Sequence, residues 1–346
     1  MLMNKTDYVI AVLFILALIG AYSIYAPFIL PFIVALLLSM ATSNLYTIFI
    51  KITRSRFIGS FILSLIMSFL LFMPLFYIAT IGSDYISKID NKTALDIIEN
   101  IEDRLKTIPM LSDWISENFK KDKIYGFVSS YTSTLQQLGS KGFGFLSNMF
   151  FVIIFYFIIN LHGEKIYIII ESLLPIDEDK KDKMLYDISS IMEIVFYSTI
   201  VTAIFEGFLF AIMVQYFGFN GLLFGILFGL ASLIPIVGGS LLWVPMSLYL
   251  WSLGDVDSAI FIGVYSVVVI SIIADTFIKP IIIKLIKEKF LKKDVAINEL
   301  LIFFSIFAGM GSYGFWGIIL GPAVTSLLIA ISKVYIEFYG DTNPHE

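Results

Sequence analysis

Residues 259–283 read AIFIGVYSVVVISIIADTFIKPIII, twenty-five positions in which only Asp275 and Lys279 carry charge. A bilayer core about 30 Å thick needs roughly 20 apolar residues of helix, because each residue rises about 1.5 Å. The stretch is long enough to cross a membrane. Similar runs lie at 8–26, 27–50, 57–81, 143–161 and 194–217, so six spans are expected. The rest of the chain agrees. Of its 346 residues 58% are hydrophobic and 15% charged, against about a quarter charged in soluble domains, and the mean hydropathy is +0.91. The run that follows Lys5 is too long for a signal-peptide core and has no clear small-residue cleavage site, so it reads as the first span.

Two further apolar stretches are interrupted. Residues 222–251 break at Pro235-Ile236-Val237-Gly238-Gly239, and residues 300–331 break between Gly309, Gly311 and Gly314. The pieces around the first break are too short to span alone. Short, Gly/Pro-interrupted hydrophobic segments point to re-entrant or discontinuous helices, tolerated where protein or water satisfies the broken backbone; ordinary kinked helices are the alternative. The expected fold is an all-α polytopic transmembrane bundle of about eight hydrophobic segments. Three regions follow: 1–81 with spans one to three, 82–142 as an extramembrane insertion, and 143–346 as the transmembrane core.

Basic residues in short loops set the orientation. Lys51, Arg54 and Arg56, then Lys180, Lys181 and Lys183, then Lys284, Lys287, Lys289, Lys292 and Lys293 mark three cytoplasmic loops. The connections at 23–31, 218–221 and 252–258 hold no basic residue and face outward, which places both termini inside a bacterial-type inner membrane. The insertion then faces outward. Ala94, Ile97, Ile98, Ile101, Leu105 and Ile108 recur at helical spacing, with Thr93 and Asp96 placed as a capping pair. Ile124, Phe127, Val128, Tyr131, Leu135 and Leu138 repeat the pattern, so the insertion reads as helical. Residues 177–191 read as an amphipathic interfacial helix before the fifth span.

Several function classes drop out. There is no cysteine, and the net charge of −5 gives no basic face for nucleic acid. His162 and His345 are far apart, so no metal site is expected. No Gly-Lys pair exists for a phosphate loop. Gly309–Gly314 formally match G-x-G-x-x-G but lack the strand and crossover that a dinucleotide needs. No cofactor is expected.

Ionisable groups inside the apolar segments are few: Glu206, Asp275 and Lys279. Such groups are expensive in hydrocarbon and mark a site facing the bundle interior or water. Asp275 and Lys279 are four apart and can pair on one helix face. Pro280 removes the bond to the Thr276 carbonyl and frees an acceptor there. A structural ion pair, with Lys279 snorkelling to the boundary, is the plainer alternative. Glu206, beside Gly207, suits a proton or cation; a neutral packing carboxyl is its alternative. Gly225-x-x-x-Gly229 and Gly317-x-x-x-Gly321 echo one another, one in each interrupted stretch, and close helix packing explains each.

The chain resembles the autoinducer-2 exporter family of membrane permeases. Ile234-Pro235-Ile236-Val237-Gly238-Gly239 is similar to its I-P-x-x-G signature. Asp275 with Lys279-Pro280 is similar to its acidic residue and basic-Pro pair, and Gly314-Phe-Trp-Gly317-Ile-Ile-Leu-Gly321-Pro322 to its C-terminal glycine motif. The three occur in the family's order, and the layout matches along nearly the whole chain. The resemblance implies an eight-segment permease and a homo-oligomer, with a pentamer as the implied number. It also implies export of the quorum-sensing signal autoinducer-2 or exchange of sodium or lithium for protons. Thr276 stands where the family often has Asn, and Glu206 where many members have Gln before Gly.

The function expected is a secondary or passive transporter of a small polar solute, its path lined by the Asp275 helix, Glu206 and the broken segments. A monovalent cation/proton antiporter is the close rival, and a non-transporting membrane scaffold is the rival from another class. No nucleophile and base set points to an enzyme.

Overall fold

The computed structural model describes residues 5–88, 91–106, 145–166, 168, 178–234, 237–291 and 299–339. Pro235, the 124–138 pattern and His345 lie outside them, as do the side chains of Thr93 and Asp275. The described residues form helices throughout, with no strand among them.

Helix α1 runs Lys5–Ala41 without a break. This corrects the two spans expected at 8–26 and 27–50. The reason is local: Pro27 and Pro31 lie inside the helix with no glycine or polar turn beside them, and a transmembrane helix tolerates such prolines as kinks. Its first half projects alone, with Val9 through Tyr25 largely exposed, whereas Val34, Ala35 and Leu38 are buried. After a one-residue turn at Thr42, α2 covers Ser43–Thr53. It ends at Arg54, whose φ of 54° reverses the chain into α3, Arg56–Lys88. Helix α4, Asn91–Lys106, begins the insertion. It packs on α8, Ser240–Ser252, with the Arg104 guanidinium close to Gly254. Helix α4 and the 252–258 connection, both expected on the outer face, therefore lie on one side of the bundle.

Helix α5, Phe145–Ile166, returns along α1 and α3. Arg56 and Glu164 form an ion pair where α3 begins and α5 ends. Val34, Leu38, Leu63, Met149, Val152 and Tyr156 make the main core of these three helices, and Trp316 inserts into it.

Helix α6 is continuous over Glu178–Tyr216. The expected interfacial helix at 177–191 and the fifth span are one rod, because no glycine or proline separates them. Helix α7, Gly221–Ala231, folds back on α6. Its N-terminus is capped by the Asn220 side chain, which accepts from the Leu223 N–H at 3.0 Å. Helices α7 and α8, of 11 and 13 residues, are only about 16 and 20 Å long, too short to cross alone. Helix α9, Val256–Tyr265, continues as a π-helical segment over Ser266–Ile278, then as α10, Lys279–Leu285, and a second π-helical segment, Ile286–Leu291.

The last stretch turns later than expected. Helix α11, Glu299–Tyr313, runs straight through Gly309 and Gly311, and the reversal is made at Gly314–Trp316, where Gly314 has φ 58°. Helix α12, Gly317–Tyr339, packs back along α11. Among the described residues six segments are long and apolar enough to cross a membrane, the last of them, Leu300–Ile329, containing this turn.

Candidate functional site

The two hairpins are built alike. A Cβ on Gly207 of α6 would lie 2.5 Å from the Gly225 carbonyl oxygen of α7, and one on Gly229 would lie 2.7 Å from the Ala203 carbonyl. In the second hairpin Gly309 meets Gly317 and Gly321, and Gly321 also meets Ser305. In both, one partner number rises by four as the other falls by four, the signature of antiparallel helices in backbone contact. The paired Gly-x-x-x-Gly motifs are thus the seams of two hairpins. At the break between α7 and α8, a side chain on Gly238 would meet the backbone of Ala231 and Ile234, and Gly239 lies under the Phe228 ring.

The seam at Gly207 fixes which way its neighbour points. Glu206 is 4% exposed, and its Oε1 lies 4.0 Å from Lys279 Nζ on the helix that carries α10. Thr202, one turn earlier, is also buried, and its hydroxyl has no hydrogen-bond partner among the described residues. Lys279 stands at the junction of the π-helical segment and α10. Its N–H donates to the Ala274 carbonyl, five residues back. Pro280, next along the chain, has no N–H to donate. Thr276 is exposed. Pro322 is buried near the start of α12, where its carbonyl accepts from Ser326 Oγ at 2.6 Å.

A second buried carboxylate escaped the sequence reading. Glu193, 1% exposed, accepts from Ser43 Oγ at 2.5 Å and from the Asn44 N–H at 3.1 Å. It therefore caps the N-terminus of α2 from α6, with charge and helix dipole in the favourable sense. Polar groups continue from it across three helices. The Thr42 and Tyr156 hydroxyls are 2.6 Å apart, Ser39 Oγ donates to Asn160 Oδ1 at 3.0 Å, and the Tyr46 hydroxyl donates to the Asn160 carbonyl. Glu193 lay one residue outside the span drawn at 194–217. The hydroxyls and amide at 39–44 and at Asn160, on helices that had to pack together, were the available signal.

Between α3, α6, α7 and α12 lies an apolar cavity of about 410 Å³, touching Leu71, Pro74, Ile200, Ile204, Ile226 and Ile319 among others. Thr199 is its only lining residue with a polar side chain. Among the described residues no three His, Asp or Glu side chains gather as a metal site would require.

A bundle of apolar helices with two glycine-seamed hairpins and a buried glutamate facing a partly exposed lysine is a polytopic membrane protein of the transport type. Its family is equally clear: the profile described as AI-2E family transporter matches residues 9–337, and the chain belongs to that family. It is similar to a provisionally named transport protein of Helicobacter pylori strain J99, with 33% identity over 345 residues covering 97% of both chains. A likewise provisionally named transport protein of Aquifex aeolicus strain VF5 is 25% identical over 243 residues, 68% of this chain and 65% of its own.

Proposed function

We propose that the protein is a secondary or passive transporter of a small polar solute, of which autoinducer-2 is the family's type. Glu206 and Lys279 stand at the path, and Asp275 and Thr276 contribute to it. The observation that carries the reading is the Glu206–Lys279 pair. Each such charge at the centre of a span costs roughly 2.5–3.5 kcal/mol on insertion scales, and structural packing alone gives no return for keeping it. Polar solutes need partners at that depth. The carboxylate, the ammonium and the backbone acceptor beside Pro280 offer both donor and acceptor there. The breaks at Pro235, Gly238 and Gly239 and at Gly314 supply the joints about which short helices could rock past a fixed frame.

A second reading is favoured by Glu206 itself. A buried carboxylate paired with a lysine can exchange that lysine for a proton or an alkali cation, which is what sodium or lithium/proton exchange requires. In both readings the protein sits in the bacterial inner membrane as a homo-oligomer, with the basic loops at 51–56, 178–183 and 284–293 cytoplasmic. The insertion at 82–142 is then an outer extramembrane unit, and 143–346 the transport core.

Purified protein in proteoliposomes tests both. Uptake of autoinducer-type solutes above that of empty vesicles, reduced in Glu206→Gln and Asp275→Asn, is the expected result. Proton flux driven only by sodium or lithium, and lost in the same variants, would select the second reading. A protein that moved neither class of solute would act as a scaffold.

A further inference from the structure

Neither Glu206 nor Lys279 is among the residues that line the apolar cavity. Its contacts on α6 run Met192, Val195, Phe196, Thr199 and so on to Ala211, an unbroken stripe at helical spacing. Twenty residues of helix, nineteen rises of about 1.5 Å, make a slot on the order of 28 Å long, close to the roughly 30 Å thickness of a bilayer's hydrocarbon core. Its volume of about 410 Å³ falls in the usual range for small-molecule pockets, about 300–1,000 Å³. Such pockets normally hold a few polar groups that orient the ligand. This one offers only the Thr199 hydroxyl.

The rim shows where the slot opens. Ile204, Phe208 and Leu222 line it and are 63%, 59% and 59% exposed. Ile204 and Phe208 are one turn apart within the Leu185–Tyr216 span. The mouth therefore runs along a membrane helix and faces hydrocarbon.

We propose that the slot is a binding site for one acyl chain of a bilayer phospholipid, entering sideways between α6 and its neighbours. Shape decides against a protein segment. A helix about 10 Å across and as long as the slot occupies on the order of 2,000 Å³, more than the slot holds. A compact polar solute would find no partners along most of the length. An extended alkyl chain fits the length, the narrowness and the chemistry together, and lipid tails are the solvent at the mouth. The site is independent of the transport reading, since it rests on α6 contacts that exclude Glu206.

The full chain reconstituted in phosphatidylethanolamine and phosphatidylglycerol vesicles, with a minor fraction of phospholipid bearing a diazirine midway along one tail, tests the proposal. After irradiation, adducts are mapped by mass spectrometry. Labelling of Ile200, Ile226 and Ile319 is expected to exceed that of the outward-facing Phe61 and Phe277 by roughly tenfold, the ratio for a site that gains about 1.4 kcal/mol over free bilayer lipid. It should saturate as the probe fraction rises, whereas labelling at Phe61 rises in proportion. Ile226→Trp, which fills the slot, should remove the excess in protein that keeps its elution profile. The saturation measurement on the unaltered chain stands even if that variant does not fold. Equal, proportional labelling at slot and surface residues would overturn the proposal, as would the absence of lipid adducts at Ile200, Ile226 and Ile319.

Discussion

Three carboxylates show how far single residues can be read. Glu206 was visible because a charge in the middle of an apolar run has few innocent explanations, and the structure buries it against Lys279. Glu206→Gln keeps the shape and removes the charge. Transport in vesicles should fall at least tenfold, with the unfolding midpoint in detergent changed by only a few degrees; a variant with full flux would remove Glu206 from the path. The cross-helix partner was not legible, since spacing within one helix reveals only neighbours three or four residues away. Glu193 was hidden for a different reason, a span boundary drawn one residue too late. Its two hydrogen bonds to the start of α2 are charge-assisted, and such bonds contribute about 1.5–3 kcal/mol each. Glu193→Ala should therefore destabilise the protein by about 2–3 kcal/mol in denaturant unfolding. Glu193→Gln, still an acceptor, should cost about half as much. Asp255 caps α9, accepting from the Ser258 N–H at 3.2 Å, and hydrogen bonds from the Ser258 side chain and backbone hold its carboxyl below the usual range. A depressed folded value stabilises above the unfolded pKa of about 3.9 and is lost as pH falls through the folded one. Asp255→Asn, which caps without titrating, should flatten that acid-side decline in the melting temperature.

At the scale of elements, the glycine motifs announced close packing but not their partners. Gly225 and Gly229 find Gly207 and Ala203, and Gly317 and Gly321 find Gly309 and Ser305. The expected turn over Gly309–Gly314 shrinks to its last member. Gly314 alone needs positive φ, while Gly309 is small to admit the backbone of α12. Gly311 does neither: it is helical, and a Cβ there would meet nothing within 4 Å. The three glycines therefore separate cleanly on substitution. Gly317→Ala drives a methyl into the Gly309 backbone and should destabilise by about 1–3 kcal/mol or prevent folding. Gly311→Ala should stabilise by about 0.5–1 kcal/mol, because the helix no longer restrains a glycine's freedom. Thermal unfolding of the two variants side by side decides the matter. Equal effects would mean that α11 and α12 do not pack along that seam. The long rods α1 and α6 mark the opposite limit of reading. A hydropathy window and a cap-like charge cluster suggest boundaries, but the chain bends only where a glycine, proline or polar turn lets the backbone leave the helix.

For the molecule as a whole, two contacts sort the connections into sides. Arg56 meets Glu164 at one end of the bundle, and Arg104 meets the turn at Gly254 at the other. If the positive-inside bias sets the orientation, the basic loop at 51–56 lies at the cytoplasmic end and α4 and the 252–258 connection lie at the outer one. The N-terminus is where counting and structure part. Two spans before residue 50 would return it to the cytoplasm, but α1 is one helix of 37 residues, about 55 Å from end to end. A single crossing between residues 12 and 41 would put residue 5 on the side opposite the basic loop. The chain carries no cysteine, so single introduced thiols report the sides directly. In intact cells an impermeant maleimide should label Asp257→Cys and Lys5→Cys, and should reach Lys51→Cys and Lys284→Cys only after permeabilisation. Lys5→Cys protected together with Lys51→Cys would mean that α1 turns back in the membrane near Pro27 and Pro31, restoring the two short spans. Labelling of Lys51→Cys from outside would instead invert the whole bundle, and with it the side from which a solute first reaches Glu206.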